Sequence, residues 1–459
     1  MQNSILKNLY NKKVVMLGLG VENFALLKYL MKKKVRREIT ICDQRIKKVL
    51  GEKFVELNKL GKKSGYIFHW KLGKDFNKLL YEFDILFRSP GWPIFCSGIA
   101  EAKKKNKNII VSSPMKLFFD LCPTKNIIGV TGTKGKGTTS SLIYYILKKA
   151  GKKAWLGGNI GVAPFEFIDK IKKNNWIVLE LSSFQLEDLH ASPHIAVLTN
   201  FYSEHLAPAD PNNPNYHKTL AHYFDAKINI LNHQRKKDYS VINSKFKIQN
   251  SHVPEWGKLQ SKIKNVKSKI IFFTKSGMHS QLPGEHNKEN VAAAAEVAKI
   301  VGIKKNIIKK AVASFKGLEH RIEFAGRKNG IRYYDDSFAT TPESSIIAMR
   351  SFDLPIILLG GGADKGSNFK EMAEEIKKRV KFLILFNGIG SDRLNKELKK
   401  IKYPEDNILF ASSMKKAIAE ANKKAFKNDI ILLSPGCASF GVFRNYKERG
   451  NLFKAEIKK

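Results

Sequence analysis

Residues 128–140 read IGVTGTKGKGTTS, a β-branched run that turns through Gly129, Gly132, Gly135 and Gly137 around Lys136 and ends in hydroxyls. Glycines let successive backbone N–H groups point inward with no Cβ in the way, and a helix starting there adds its own free N–H groups and dipole. The helical pattern SSLIYYILKKA follows at once, so strand, turn and helix come in the order a phosphate cradle needs. Lys136 can neutralise β/γ-phosphate charge, and Thr138 or Thr139 can reach Mg²⁺ from the first helical turn. The run Gly132, Thr133, Lys134, Gly135, Lys136, Gly137, Thr138 and Thr139 is therefore read as a nucleotide-triphosphate site. It is a variant of the strict P-loop, which would place glycine at Val130 and Ser or Thr at Gly137. A glycine-rich turn with a solvent lysine is the bland alternative, and the strand–turn–helix order argues against it.

The same block continues with NNWIVLELSSFQLE and HIAVLTNFYSEHL, apolar strands that deliver polar groups at their carboxyl ends, where open α/β sheets bind ligands. Glu180 closes the first, and an unpaired carboxylate there would be costly, so a cation partner is expected. His205 ends the second. With the loop hydroxyls they suit the oxygen-rich shell of Mg²⁺, although a lone histidine is more often structural.

Upstream, KKVVMLGLGVENFALLKYL runs from a buried strand into Gly18 and Gly20 and then a helix, and EITICDQR is a second strand ending at Asp43 and Arg45. This is a Rossmann-like first unit with an incomplete fingerprint, because Asn23 holds the third glycine position. FDILFRSPGWP adds a strand ending at Ser89, Pro90 and Gly91. Downstream from about Glu319, the strands IRYYDDS, LPIILLGGG, KFLILF and DIILLSPG alternate with helical patterns as a further α/β unit. A lysine-rich stretch, Ser261 to Lys269, reads as a surface loop.

A chain of 459 residues with 43% hydrophobic content exceeds one core and implies several domains. Lys and Arg number 82 against 41 Asp and Glu, an excess that could advertise nucleic acid or membrane. The lysines recur along the whole chain without an aromatic-basic stripe, so a solvated basic surface is the simpler reading. Cys42, Cys96, Cys122 and Cys437 form no CxxC pair, no leader is read before them, and no apolar run reaches the roughly 20 residues that span a bilayer. A cytoplasmic protein is expected.

GVTGTKGKGTT, GGNIG at Gly157–Gly161, LELSSFQLE at Leu179–Glu187, DAKINIL at Asp225–Leu231, LPGEHNKEN at Leu282–Asn290, GLEHRIE at Gly317–Glu323, DDSFATT at Asp335–Thr341 and LLSPGCASF at Leu432–Phe440 together resemble a Mur ligase along the whole chain. The resemblance implies α/β architecture in three domains. These are a Rossmann-like uridine-nucleotide domain over 1–113, a P-loop-type ATPase domain with a mostly parallel sheet over 114–318, and a Rossmann-like amino-acid domain over 319–459. Within the family, LELSSFQLE and GGNIG point to the members that add D-glutamate to UDP-N-acetylmuramoyl-L-alanine through an acyl phosphate. ATP and two Mg²⁺ ions would be the cofactors, the chain a monomer, and neither nucleic acid nor membrane a partner.

Carried over by residue, the phosphate loop would hold ATP with Asn287, Asn290, Arg321 and Asp336. The UDP-substrate would meet Gly18, Gly20, Val21, Glu22, Asp43, Gln44, Arg45, Ser89, Pro90 and Gly91, with Asn159, Ser182 and Gln185 at its muramoyl end. Glutamate would meet Thr340, Lys365, Ser439 and Tyr446. Catalysis would fall to Lys136, Glu180, His205 and Lys227, and the metal to Thr138, Glu180, His205 and a carbamate on Lys227. Carbamate formation needs a neutral amine, which desolvation and a nearby cation would supply; a surface lysine paired with Asp225 or Glu204 is the commoner fate. Phe338 and Thr341 stand where many relatives have lysine and asparagine. The alternatives are L-glutamate as substrate, a folylpolyglutamate-synthase-like ligase suggested by Gly137, and a nucleic-acid-stimulated ATPase suggested by the charge.

Overall fold

Three separate sets of apolar β-branched runs build three sheets in the computed structural model, which describes residues 9–207, 214–247, 261–364, 366–439 and 441–459. The first sheet contains β1 (Val14–Leu17), β2 (Glu38–Asp43), β3 (Ile67–Leu72), β4 (Ile85–Arg88) and β5 (Ile110–Ser112), all parallel in the order β3-β2-β1-β4-β5. The second contains β6 (Ile127–Thr131), β7 (Ala154–Gly158), β8 (Trp176–Glu180), β9 (Ile195–Leu198), β10 (Tyr239–Asn243) and β11 (Lys269–Phe273), again all parallel, in the order β11-β10-β9-β6-β8-β7. The third contains β12 (Glu323–Lys328), β13 (Ile331–Asp335), β14 (Ile356–Gly361), β15 (Val380–Phe386), β16 (Ile408–Ala411) and β17 (Ile430–Leu433) in the order β12-β13-β17-β14-β15-β16. Only β12 runs antiparallel, to β13.

The central strands β1, β6 and β14 are buried at every residue, as helices on both faces of a parallel sheet require. That is why they read so plainly as apolar runs. The edge strands do not. β3 (IFHWKL) and β12 (EFAGRK) are only partly covered, and the sequence reading passed over both, along with β5 and β16. The Ser261–Lys269 stretch is corrected as well: residues 261–264 form a helical turn with Ile263 buried, and Lys269 opens β11.

The chain divides into two compact units, one of residues 1–275 and 292–308, the other of 276–291 and 309–459. The first unit holds the first two sheets and the second unit the third. In the first sheet the strand order reverses between β1 and β4, so the turns after Leu17 and Arg88 flank a crevice at the carboxyl ends. No helix among the described residues is long and apolar enough to cross a membrane.

Candidate active site

The phosphate loop joins β6 to the helix Lys136–Lys149, whose amino end is capped by Gly135 in a left-handed conformation. Gly132 has φ 145°, and a Cβ there would lie 2.0 Å from Thr199 Oγ1, so the position tolerates glycine alone. Asn200 staples the loop from the end of β9. Its carbonyl accepts from Thr133 N at 2.9 Å, and its side chain accepts from Lys134 N at 2.8 Å while donating to Lys134 O at 3.0 Å. Thr133 Oγ1 and the Tyr223 hydroxyl are 2.8 Å apart.

Two lysine side chains fold into this loop. Lys136 Nζ donates to Thr133 O at 2.8 Å and Lys227 Nζ to Gly132 O at 2.7 Å. Lys227 is 1% exposed on the helix Leu220–Asn232 and lies 4.7 Å from the Tyr223 ring centroid. Burial, and then Lys136, push its ammonium well below the usual range against weaker pulls from Glu204 and Glu180. The surface pairing considered from sequence is thereby corrected. Asp225 pairs instead with Lys262, and Glu204 with Lys134 at 2.7 Å.

Glu180 ends β8 and is 4% exposed; its Oε1 accepts from Asn159 Nδ2 at 2.8 Å. Its Oε2 is buried with no hydrogen-bond partner among the described residues. A buried carboxylate oxygen left open on the strand beside the one that leads into the phosphate loop, with Thr138 in the first turn of the helix Lys136–Lys149, fits a hard divalent cation. His205 sits at φ 60° with its ring 3.7 Å from a Glu204 oxygen. Burial lowers its basicity, opposed by Glu204 and aided by Lys227, Lys136 and Lys134, which keeps a lone pair available at neutral pH.

A second recess lies in the same unit. A cavity of about 570 Å³ is lined by Gly18, Gly20, Val21, Glu22, Asp43, Gln44, Arg45, Ser89, Pro90, Gly91 and Asn159, together with Phe76, Trp92, Pro93, Cys96, Gly158, Gly161, Ala163 and Pro214. That volume is in the range of small-molecule and cofactor sites, roughly 300–1,000 Å³. Asp43 receives Leu19 N at 2.7 Å and Arg45 Nε at 2.8 Å. Burial works to raise its pKa, but the Arg45 hydrogen bond and the backbone donors outweigh it and hold Asp43 below its usual range. Asn23 explains the broken glycine fingerprint: its buried amide donates to Leu17 O, Gly18 O and Phe87 O at 3.2, 2.8 and 3.0 Å, tying the turn to β4.

Ser182 and Gln185 do not line this cavity. They form a reciprocal capping box at the helix Ser183–Leu186, and Gln185 Nε2 donates to Glu22. Asn159 is the direct link between the two sites, since it lines the cavity and holds Glu180.

In the second unit, Asn290 Nδ2 donates to Asn287 Oδ1 at 2.8 Å. The turn presenting Arg321 is strained on both sides, with His320 at φ 62° and the β-branched Ile322 at φ 46°. It is held by His320 Nδ1 against Asp335 Oδ2 at 2.7 Å and by Ile322 N donating to Asp336 at 3.2 Å. Asp336 itself is buried, and Ser434 donates to it at 2.7 Å; burial pushes its pKa up to about 7 against that bond. The Arg321 guanidinium lies 3.8 Å from the Phe338 ring centroid, and Tyr446 meets the same ring edge-on at 4.9 Å. Ser439 is buried and Thr340 half-buried. Lys365 lies outside the described residues.

Residues 130–298 match the Mur ligase middle domain, and residues 320–437 match the Mur ligase, glutamate ligase domain. The UDP-N-acetylmuramoylalanine--D-glutamate ligase of Thermoanaerobacter sp. (strain X514) is 34% identical over 471 residues, covering 98% of each chain. The ligase of the same name from Clostridium acetobutylicum is 35% identical over 474 residues, covering 98% of this chain and 97% of its own. The chain belongs to the Mur ligase family. Among solved structures, MurF from Acinetobacter baumannii superposes with a TM-score of 0.59 at 12% identity, covering 99% of this chain and 98% of that one. UDP-N-acetylmuramate-alanine ligase MurC from Thermotoga maritima gives 0.56 at 17%, covering 98% and 100%. Folylpolyglutamate synthase from Mycobacterium tuberculosis, complexed with ADP, gives 0.55 at 12%, covering 74% of this chain and 92% of that one. At these identities the likeness is one of fold.

In this Mur ligase several supports of the site were invisible to the sequence reading. Asn200, Thr199 and Tyr223 shape the phosphate loop from positions 65 to 90 residues away. Phe76 and Trp92, edge-on at 4.9 Å, wall the cavity. The signal for Asn200 was present in TNF, a polar pair at the carboxyl end of a buried strand, but nothing local says which loop it serves.

Proposed function

We propose that this Mur ligase is an ADP-forming ligase that adds D-glutamate to UDP-N-acetylmuramoyl-L-alanine, using ATP, in peptidoglycan precursor synthesis. The observation that carries the reading is the Asn159–Glu180 hydrogen bond, which joins a cavity of small-molecule size to a phosphate cradle within one compact unit. The full-length likeness to D-glutamate ligases supports the choice of amino acid.

In this reading the cavity takes the uridine diphosphate end, with Asp43, Gln44 and Arg45 toward the base and the Gly18–Glu22 turn and Ser89–Gly91 beside the diphosphate. Asn159, Ser182 and Gln185 direct the alanyl end toward the phosphate loop. A carboxylate oxygen of the alanyl group attacks the γ-phosphorus, the bond to ADP breaks, and an acyl phosphate forms; the glutamate amine then attacks the acyl carbon and phosphate leaves. Lys136 and the N–H groups of Gly132–Thr139 hold the transferring phosphoryl charge, so the protein acts by positioning and electrostatics. Thr138, Glu180, His205 and a carbamate on Lys227 would hold Mg²⁺, which supplies charge neutralisation on the phosphates when bound. The lowered basicity of Lys227 favours the neutral amine that carbamate formation requires.

In the same reading Thr340, Lys365, Ser439 and Tyr446 would receive glutamate, Asn287 and Asn290 would lie near the adenine, and Arg321 and Asp336 would engage ATP from the carboxyl-terminal side. Asp336 does so by holding the Arg321 turn, since its oxygens serve Ser434 and Ile322. The functional division in this reading is 1–113, 114–318 and 319–459, in a cytoplasmic monomer that needs no nucleic acid. Phosphate release from ATP and Mg²⁺ with UDP-N-acetylmuramoyl-L-alanine and D-glutamate, L-glutamate or neither, with product mass checked, tests the reading. Dependence on D-glutamate with the matching mass gain is expected; dependence on L-glutamate alone or on neither overturns it.

A further inference from the structure

The wall of the nucleotide cavity carries one acidic side chain that the ligation chemistry leaves without a task. Glu22 stands in the first turn of the helix Val21–Lys32, just after Gly20, where a helix start favours a bound anion. It is 8% exposed. One carboxyl oxygen accepts from Gln185 Nε2, and the other is buried with no hydrogen-bond partner among the described residues. On one side Glu22 lines an apolar crevice with Pro114, Met115, Ala163, Pro164 and Phe165. The cation that acts on it is Arg88, whose guanidinium is already paired with Glu187 at 2.8 Å and Asp188 at 3.0 Å. Across the cavity Asp43 and Arg45 are paired with each other at 2.7 Å.

A diphosphate bound at this helix start would therefore meet a carboxylate that has no cation of its own, in a site shielded from water. Like charges in such a place repel strongly, whereas a carboxylic acid has an O–H to donate. We propose that Glu22 enters the complex as the neutral acid, so that binding of the diphosphate nucleotide takes up a proton at this carboxyl. The inference rests on the reading of the cavity as the UDP-substrate site. Burial supports it by pushing the carboxyl up to about 7, opposed by the Gln185 bond and Arg88, so the free protein holds both forms near neutrality. An anion bound alongside raises the carboxyl further. Affinity is then full below about 7 and falls as pH rises from there toward the raised value of the complex, by up to about tenfold per pH unit. The Gln185 contact carries the state of Glu22 onward, because Gln185 Oε1 also receives Ser182 N at 2.7 Å.

The test is titration calorimetry of the full chain with UDP-N-acetylmuramoyl-L-alanine, in buffers of different ionisation enthalpy from about pH 6 to about pH 8.5. This ligand is chosen over UDP because its diphosphate is esterified at both ends and holds no titrating proton in that range. Uptake of a fraction of a proton near neutrality, abolished in Glu22→Gln together with the alkaline loss of affinity, is the expected result. Binding without buffer dependence and with flat affinity overturns the proton uptake and leaves the cavity reading standing. Uptake that persists in Glu22→Gln puts the proton on another group, such as Lys53, whose ammonium burial holds below its usual range, and overturns the assignment. No binding by the wild type overturns the cavity reading and this inference with it. Should Glu22→Gln not fold, Glu22→Ser gives the same readout, and the wild-type pH profile stands without any variant.

Discussion

The turn at Gly18–Gly20 and the turn at Gly132–Gly135 are both strand–glycine–helix junctions in all-parallel sheets of one compact unit, yet their surroundings suit different ligands. Behind the first turn stands a neutral amide, Asn23, with three carbonyls bonded to it, and in front lies an open cavity with the Phe76 and Trp92 rings in its wall. Into the second turn fold two lysines, Lys136 and Lys227, each bonded to a loop carbonyl. A glycine turn offers N–H groups to any anion. The neighbours select, with the Lys136 cation suiting the dense charge of a triphosphate and aromatic walls suiting a base and sugar.

Substitutions can separate the two turns. Lys227→Ala should have the largest effect, cutting D-glutamate-dependent phosphate release by at least about 100-fold while calorimetric binding of UDP-N-acetylmuramoyl-L-alanine stays within a factor of a few. Equal loss of both would mean that the turns are not independent. Asn159→Ala removes the donor to Glu180 and a residue of the cavity wall, so it should harm both, costing about 1.5–3 kcal/mol, or roughly 10–150-fold in turnover. Turnover unchanged in that variant would break the link on which the functional reading stands. Asn23→Gly restores the fingerprint glycine but deletes three buried hydrogen bonds; melting curves should show a loss of about 1–3 kcal/mol, with ATP binding unaffected.

The smallest effect concerns pH. Asp43 has its pKa depressed in the fold, so its contribution is present above the unfolded carboxylate value and is lost only as pH falls through the lower folded value. Asp43→Asn should therefore lower the melting temperature by the same amount at about pH 5 and about pH 8. A penalty that grows between those values would show that Asp43 titrates where its pairing with Arg45 says it should not.

Much of this was legible in one dimension. Buried central strands announce themselves as continuous apolar runs because both of their faces are covered, and polar residues placed just after them mark the ligand edge. The edge strands β3 and β12 were missed because half-exposed pairs carry mixed residues and no clean period. Of the residues expected around the uridine nucleotide, those in the Gly18, Asp43 and Ser89 turns line one cavity, since each follows a strand of the same sheet. Ser182 and Gln185 fell elsewhere because the short helix they cap turns them toward each other and toward Glu22. The Phe338 departure also gained a physical meaning: where a lysine would repel Arg321, the ring lies 3.8 Å from the guanidinium and holds it.

By itself the sequence determined the strand–turn–helix junctions, the glycine at Gly132 and the residue types on offer at each turn, because these depend on local sterics and periodicity. The tertiary structure alone decided charge state and pairing. Lys227 becomes a weak base because residues such as Lys136 and Gly132, more than 90 positions away, bury and oppose it. Glu22 is pushed up to about 7 because burial outweighs the opposing bond from Gln185, a partner 163 positions away. Desolvation and through-space charge follow distance in space, and a sequence records only distance along the chain.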